Sequence, residues 1–411
     1  MELIKVKKST IFYVVRLFVI CFSLFVLSFG VIRESYSGQT RGVTDDVLKV
    51  GMAIDQSGPA CNVTIPLTNG VKRYFRYHNE RGGINGRKVK VIVEDDRYSV
   101  PGGIAAFKKL LYKDKILALL GPTHSGAMAA VFDSIEKEKI ITMSTAPNDT
   151  TVNPFRAHLF GVYETYPHMM KLLIDHVVKE LKVDNPRIAL VYPDNQAGKL
   201  DMASAIQRLK SYNLTPVSRE VLNPGSIDAT SQVLNMKRAK VTSAILCGFI
   251  PQPAGLLLRE LNKFRFNIPV LGNVAAASEE VIHMAGKASK DYYAVSCFAS
   301  WYDKGSGVEL MRKITLKYAP GTEKPYRGKL YTFGWAISVF LGEGLKRAGR
   351  DIDNQKLLEA LEGIRDFDPK GITGIMNCSS KSHKVLNTAK ISKADPASGK
   401  FIPVTEWMRS N

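Results

Sequence analysis

From Leu48 onward, short solid runs of apolar residues alternate with stretches whose apolar positions recur every three to four residues. Solid runs suit strands buried on both faces, and the longer period suits helices packed along one side. Residues 48–54 form the first run. Val71, Tyr74, Phe75 and His78 then fall at i, i+3, i+4 and i+7, on one helix face. Gly82-Gly83 ends that helix, and Asn85-Gly86 turns the chain into Val89, Val91 and Val93. A helix over 103–111, a strand over 116–120, a helix over 127–137 and a strand over 140–143 complete a first unit of four strands.

The rhythm restarts after Gly161, with a helix over 167–181 and strands over 187–192, 217–222, 243–247, 269–271 and 293–297. Helices follow over 308–318, 331–347 and 355–364, and strand-like pieces over 372–376 and 389–392 end the pattern. Strand–helix alternation at this spacing predicts an α/β protein with mostly parallel sheets covered on both faces and right-handed crossovers. Two successive doubly wound units predict two lobes. Such sheets bind ligands beyond the carboxyl ends of their strands, so facing lobes would bind in the cleft between them.

The first residues change the picture of where the protein works. Lys5, Lys7 and Lys8 precede an apolar stretch, 17–29, interrupted only by small residues. It is short for a membrane span and suits the core of a secretory signal, with Ser35 and Ser37, or alternatively Ser28 and Gly30, at −3 and −1 of a cleavage site; the rival reading is an uncleaved N-terminal anchor. The expectation is a signal peptide over 1–37 and a periplasmic or otherwise extracytoplasmic product. Net charge is +19. The basic residues are dispersed and lack interleaved aromatics, which favours solubility over a nucleic-acid partner. After residue 37 four cysteines remain, Cys61, Cys247, Cys297 and Cys378, too widely spaced to define a disulfide framework or a zinc site.

Candidate chemistry gathers in two loops. Residues 120–126, Leu-Gly-Pro-Thr-His-Ser-Gly, lead from a buried strand into a helix predicted to begin at Ala127. Small residues admit a ligand to the backbone, and the helix's free N–H groups favour an anion. Ser125 sits at the expected N-cap; it either caps its own helix or donates to a ligand carboxylate. Residues 143–149, Met-Ser-Thr-Ala-Pro-Asn-Asp, form the equivalent loop one strand later, with Asn148 and Asp149 as turn residues or as ligand contacts. Enzymatic signatures are missing: there is no G-x-S-x-G elbow, phosphate-binding G-x-x-x-x-G-K-[ST] or H-E-x-x-H. The glycines at 82, 83 and 86 follow a helix and open a strand, the reverse of a dinucleotide site. Glu94-Asp95-Asp96 reads as an acidic turn rather than a cation site, and His168 and His176 as packed or solvated. No cofactor or metal is expected, and the protein is not expected to be an enzyme.

These loops resemble the type I periplasmic binding proteins, in the leucine/isoleucine/valine-binding branch of ABC-transporter receptors. The resemblance rests on Leu48-Lys-Val-Gly-Met-Ala-Ile-Asp-Gln-Ser-Gly-Pro59, on Asn79-Glu-Arg-Gly-Gly-Ile-Asn-Gly-Arg87 running on to Glu94-Asp-Asp96, and on residues 120–125, 140–148 and 187–192. Tyr331-Thr-Phe-Gly-Trp-Ala336 is similar to a late helix start of that family. It implies two Rossmann-like doubly wound lobes joined by a three-stranded hinge: an N-terminal lobe from 46–163 and 300–372, and a C-terminal lobe from 164–299 and 373–411. It also implies a small-molecule ligand, namely an amino acid, carboxylate or amide, and a membrane permease as partner.

Carried over residue by residue, the resemblance makes Ser57, His124, Ser125, Thr145, Ala146 and Asn148 first-lobe ligand contacts, and Phe249 and Asn273 second-lobe contacts. Departures accompany it. Ala197 stands where an aromatic is usual, Phe249 where a tyrosine is, and Asn273 near where an acid would pair with a ligand ammonium; Val63 stands near an expected aromatic. An unpaired buried ammonium is costly, so a carboxylate without an amine, or an amide, fits as well. The rival reading is a ligand-sensing receptor domain or amide-binding regulator of the same fold. Such a sensor would need a signalling module, and none is read before the last residue, Asn411.

Overall fold

The computed structural model describes residues 40–146, 149–320 and 328–409; the expected signal peptide, Asn148 and the ends of the chain lie outside them. Along the chain come β1 (Val47–Ala53), α1 (Cys61–Asn79), β2 (Lys88–Glu94), α2 (Val100–Lys108), β3 (Ala118–Leu120), α3 (Ser125–Glu138), β4 (Ile141–Ser144) and β5 (Leu159–Gly161). These five strands form one sheet in the order β2-β1-β3-β4-β5, parallel at every pairing. The apolar pattern predicts four strands in this unit. The fifth has three residues, too few for periodicity to register.

After β5 the chain runs through α4 (Tyr166–Asp175), β6 (Ile188–Tyr192), α5 (Gln196–Lys210), β7 (Ser218–Val221), α6 (Thr230–Arg238) and β8 (Ser243–Leu246). It continues into α7 (Pro251–Lys263), β9 (Val270–Gly272), α8 (Glu279–Ala285) and β10 (Tyr292–Ser296). Then come α9 (Ser306–Tyr318), α10 (Lys329–Arg347), α11 (Asn354–Glu362), β11 (Thr388–Asp395), β12 (Lys400–Pro403) and β13 (Met408–Arg409). The second sheet runs β12-β11-β10-β9-β8-β6-β7, parallel from β10 to β7 and antiparallel where β11 and β12 join; β13 also pairs with β11. The strand expected over 372–376 is instead a turn and bend from Gly371, with an isolated bridge between Phe367 and Met376.

The chain returns to the first sheet by docking α10 against α1. Passages between the sheets lie side by side. Gly161 N–H donates to His383 at 2.9 Å and Val385 N–H to Gly161 at 2.9 Å. Ala299 N–H reaches Ile372 at 2.9 Å, and Glu164 N–H faces the Cys297 sulfur at 3.4 Å. Buried here, Glu164 pairs with Lys384 at 2.5 Å and with His168 at 2.7 Å. Burial alone would push the Glu164 carboxyl up, but His168 and Lys384 together hold it below the usual range. Cys61, Cys247, Cys297 and Cys378 are unbridged, and none of the described helices is long and apolar enough to cross a membrane.

The functional point is topological. In each sheet one strand has neighbours formed by crossovers of opposite sense: β1 lies between β2 and β3, and β6 between β7 and β8. The loops leaving β1 and β3, and those leaving β6 and β8, diverge and open a crevice.

Candidate functional site

Two crevices meet in one cavity of about 70 Å³. The first lobe contributes Ala60, Val63, Tyr98, Thr123, Ser125, Thr145 and Ala146; the second contributes Tyr166, Ala197, Gly248, Ile250 and Asn273. A wider space of about 790 Å³ opens beside it, and Ala60, Val63 and Ile250 border both.

The loop after β1 is shaped by its own acid. Buried Asp55 accepts from the N–H groups of Ser57 (3.2 Å), Gly58 (2.5 Å) and Ala60 (2.8 Å), winding the chain into α1. Ser57 is exposed and its hydroxyl donates to Asp95 at 2.6 Å. Ser57, an expected ligand contact, does not line the cavity and ties two loops together. The acidic turn is absorbed in the same way. Asp96 accepts from Thr123 N–H (2.8 Å) and Tyr98 N–H (2.9 Å), while Glu94 pairs with Lys109. Among the described residues no three His, Cys, Asp or Glu side chains converge as a metal site.

The loop after β3 turns on Gly121. Its φ is +102°, and any Cβ there would come within 2.1 Å of the Ala53 carbonyl oxygen, so only glycine fits. The helix begins two residues earlier than expected, at Ser125, and His124 is its cap: the imidazole Nδ1 accepts from Gly126 N–H at 3.1 Å. Burial lowers the His124 pKa, keeping the ring neutral for that role, and its edge meets Tyr98 at 4.9 Å. So His124 acts on the backbone and Ser125, expected at the cap, is released from capping. Ser125 is buried on the cavity wall, in the first turn where N–H groups have no helical partner, beside Tyr166. Thr145 lines the cavity while donating to Pro122 at 3.2 Å, and the Ser144 hydroxyl brackets Ala146, accepting its N–H and donating to its carbonyl at 3.1 Å each.

In the second lobe Phe249 is fully buried among Leu246, Ala254 and Leu257. An expected ligand contact, it does not line the cavity, whereas its neighbours Gly248 and Ile250 do. Gly248 has φ +67°, and a Cβ there would lie 2.7 Å from Ala197, so the loop presses on the start of α5. Asn273 does line the cavity, and its amide donates to Asp201 at 3.0 Å.

Asp201 is the residue that sequence reasoning missed. Fully buried on α5, it also accepts from Gly248 N–H at 2.6 Å through the same Oδ2, while Oδ1 has no partner. Burial raises its pKa to about 7, against the pull of those two hydrogen bonds. Burial, then the Asp201 charge, pushes Tyr166 well above the usual phenol range. A signal existed: Ala197, Asp201 and Ala205 recur at four-residue steps, which puts an acid on the apolar face of a helix. Structure thus brings Ser125, Thr145, Ala146 and Asn273 together and leaves Ser57, His124 and Phe249 outside.

Residues 47–400 match a family described as periplasmic binding protein. A Leu/Ile/Val-binding protein of Rhizobium johnstonii is 25% identical over 57% of this chain and 63% of its own length, so the match spans less than two thirds of that relative. A valine-bound branched-chain amino acid ABC transporter protein of Thermus thermophilus superposes with a TM-score of 0.83 at 20% identity, covering 90% of this chain and 98% of that one. A fatty acid ABC transporter substrate-binding protein of Thermomonospora curvata gives 0.81 at 20% identity, covering 90% and 95%. With two doubly wound lobes, a cavity at their facing switch points and this match over most of its length, the chain belongs to the periplasmic binding protein family.

Proposed function

We infer that this protein captures a small carboxylate-bearing solute, amino-acid-like or an amide relative, between its lobes and presents it to an ABC-type permease. One observation carries the reading: the first turn of α3, with buried Ser125 freed from capping by His124, faces a cavity walled by both lobes. A helix N-terminus with an added hydroxyl favours an anion. The ligands named for its relatives, branched-chain amino acids and fatty acids, differ in size and in the amine but share a carboxylate. The sensor reading has no such observation behind it. Residues 1–37 act as a cleaved secretory signal in this reading; envelope protein whose mass still includes Met1 would refute that part.

A thermal-shift screen against amino acids, aliphatic and aromatic carboxylates and short amides tests the binding reading. A solute at a hundredfold excess over its Kd stabilises by about 2.7 kcal/mol. If no carboxylate or amide moves the melting temperature, the reading is wrong.

A further inference from the structure

A fully buried carboxylate with one oxygen unpartnered is rare in a folded protein, because a buried polar atom without a hydrogen bond costs free energy. Asp201 is such a group, and it adjoins the cavity wall. Both donors that hold its Oδ2, the Gly248 amide and the Asn273 side chain, are themselves lining residues. Ala197, one helical turn before it on the same face of α5, lines the cavity with only a methyl group. A large side chain at 197 would fill the space over that turn; alanine leaves it open.

We propose that Asp201 is the residue by which the cavity recognises a cationic nitrogen, its free oxygen accepting a hydrogen bond from an ammonium on a ligand whose carboxylate sits at the start of α3. This rests on the interlobe reading above and narrows it to zwitterionic solutes. Asn273, where an acid was expected, then serves as a positioning residue: its amide fixes one carboxylate oxygen and leaves the other for the ligand. The charge is supplied from a different element, which is why the neighbourhood of 273 alone reads as neutral.

The proton balance gives the proposal a signature. A carboxyl protonated near neutrality must lose its proton to meet an ammonium, so binding below pH 7 releases a proton to solvent. The titratable groups facing Asp201 are Tyr166 from α4 and Cys247 after β8; burial pushes both upward, so both stay neutral throughout.

Calorimetry on the full chain uses the natural α-amino acids, each beside the acid lacking its amine, such as leucine beside 4-methylpentanoate. Measurements at pH 6 in two buffers of different ionisation enthalpy count the protons. Wild type should prefer the amine-bearing member at least tenfold and release a proton with it, but not with the amine-free acid. Asp201→Asn, isosteric and still able to accept from Gly248 and Asn273, should lose roughly tenfold to a hundredfold for the amino acid and little for its partner. The wild-type proton count stands even should the variant fail to fold. Amine-free acids binding as tightly, without differential proton release, would overturn the role of Asp201 and leave the interlobe reading standing. If neither class binds, both fall.

Discussion

A single residue's surroundings decide whether it binds or merely holds the loop. At Ser125 the sequence left capping and binding open, and the structure separates them by giving the cap to His124. Ser125→Ala should therefore leave the melting temperature nearly unchanged while weakening a carboxylate ligand about tenfold to a hundredfold, since hydrogen bonds to charged groups are worth about 1.5–3 kcal/mol. A drop in stability of about 1 kcal/mol with unchanged affinity would restore the capping role. Asp201 gives a prediction of opposite sign. Its folded pKa of about 7 lies above the ordinary carboxylate value, so the folded state binds a proton that the unfolded chain has lost. Stability from this group is present at acid pH and declines as pH rises toward 7, by at most about 4 kcal/mol. Ligand-free Asp201→Asn should thus melt higher than wild type at pH 8, with the gap closing toward pH 5; an equal gap at both pH values would contradict it. Asn273→Asp, which the sequence alone would suggest as a way to strengthen amino-acid binding, instead sets a second carboxylate about where the amide now sits, 3.0 Å from Asp201. Two such groups cannot both ionise. That variant should lose stability at pH 8, read by the same melts.

At the scale of elements, long periodic helices and solid apolar strands were legible because burial alone shapes them. The Val71, Phe75 face of α1 and the runs at β1, β6 and β8 lie where the pattern put them. What escaped the sequence was set by partners distant along the chain. β5 is three residues held by β4, and the 372–376 segment, apolar enough for a strand, is bent at Gly371 beside the second passage. The second-lobe wall of the cavity was half legible for the same reason. Asn273, singled out from the sequence, lines the cavity, but Asp201, to which its amide donates, lies 72 residues earlier on α5 and no local spacing joins them. The passages between the lobes are likewise non-local. Glu164 enters the second lobe and Lys384 returns to it, so their ion pair fastens two passages at one point. Because Glu164 is held below the usual carboxylate range, its stabilisation is present at neutral pH and lost as pH falls through that depressed value. Lys384→Met strands a buried charge that His168 only partly offsets. It should cost about 2–3 kcal/mol in urea melts at pH 7, less than the full penalty for a wholly buried pair because Lys384 is partly exposed. An unchanged midpoint would show the pair to be incidental.

For the whole molecule, the two spaces beside each other set what must happen on binding. The enclosed cavity, about 70 Å³, is small for a complete amino acid, whereas the adjoining space of about 790 Å³ is far larger than one. Pockets that bury most of a small ligand usually hold several hundred Å³. The proposed head-group anchors, Ser125 and Asp201, belong to the small space or its wall, and the large one has apolar lining from both lobes, Val63 from the first and Ile250, Pro251 and Met284 from the second. Neither lobe alone can enclose a side chain extending from those anchors. Rotation about the passages near Gly161, Glu164 and Ala299 would bring α1 toward α7 and α8 and convert open space into contact. A ligand touching both lobes favours the closed arrangement by the contacts it makes only there. Small-angle scattering with a ligand identified by the thermal screen should therefore show a smaller radius of gyration at saturation than without it. Val63→Asp, which places a charge on the wall that closure would bury, should weaken the ligand and reduce the compaction while leaving the ligand-free scattering unchanged. A saturated complex with the same radius of gyration as the free protein would rule out hinge closure as the way this cleft encloses its solute.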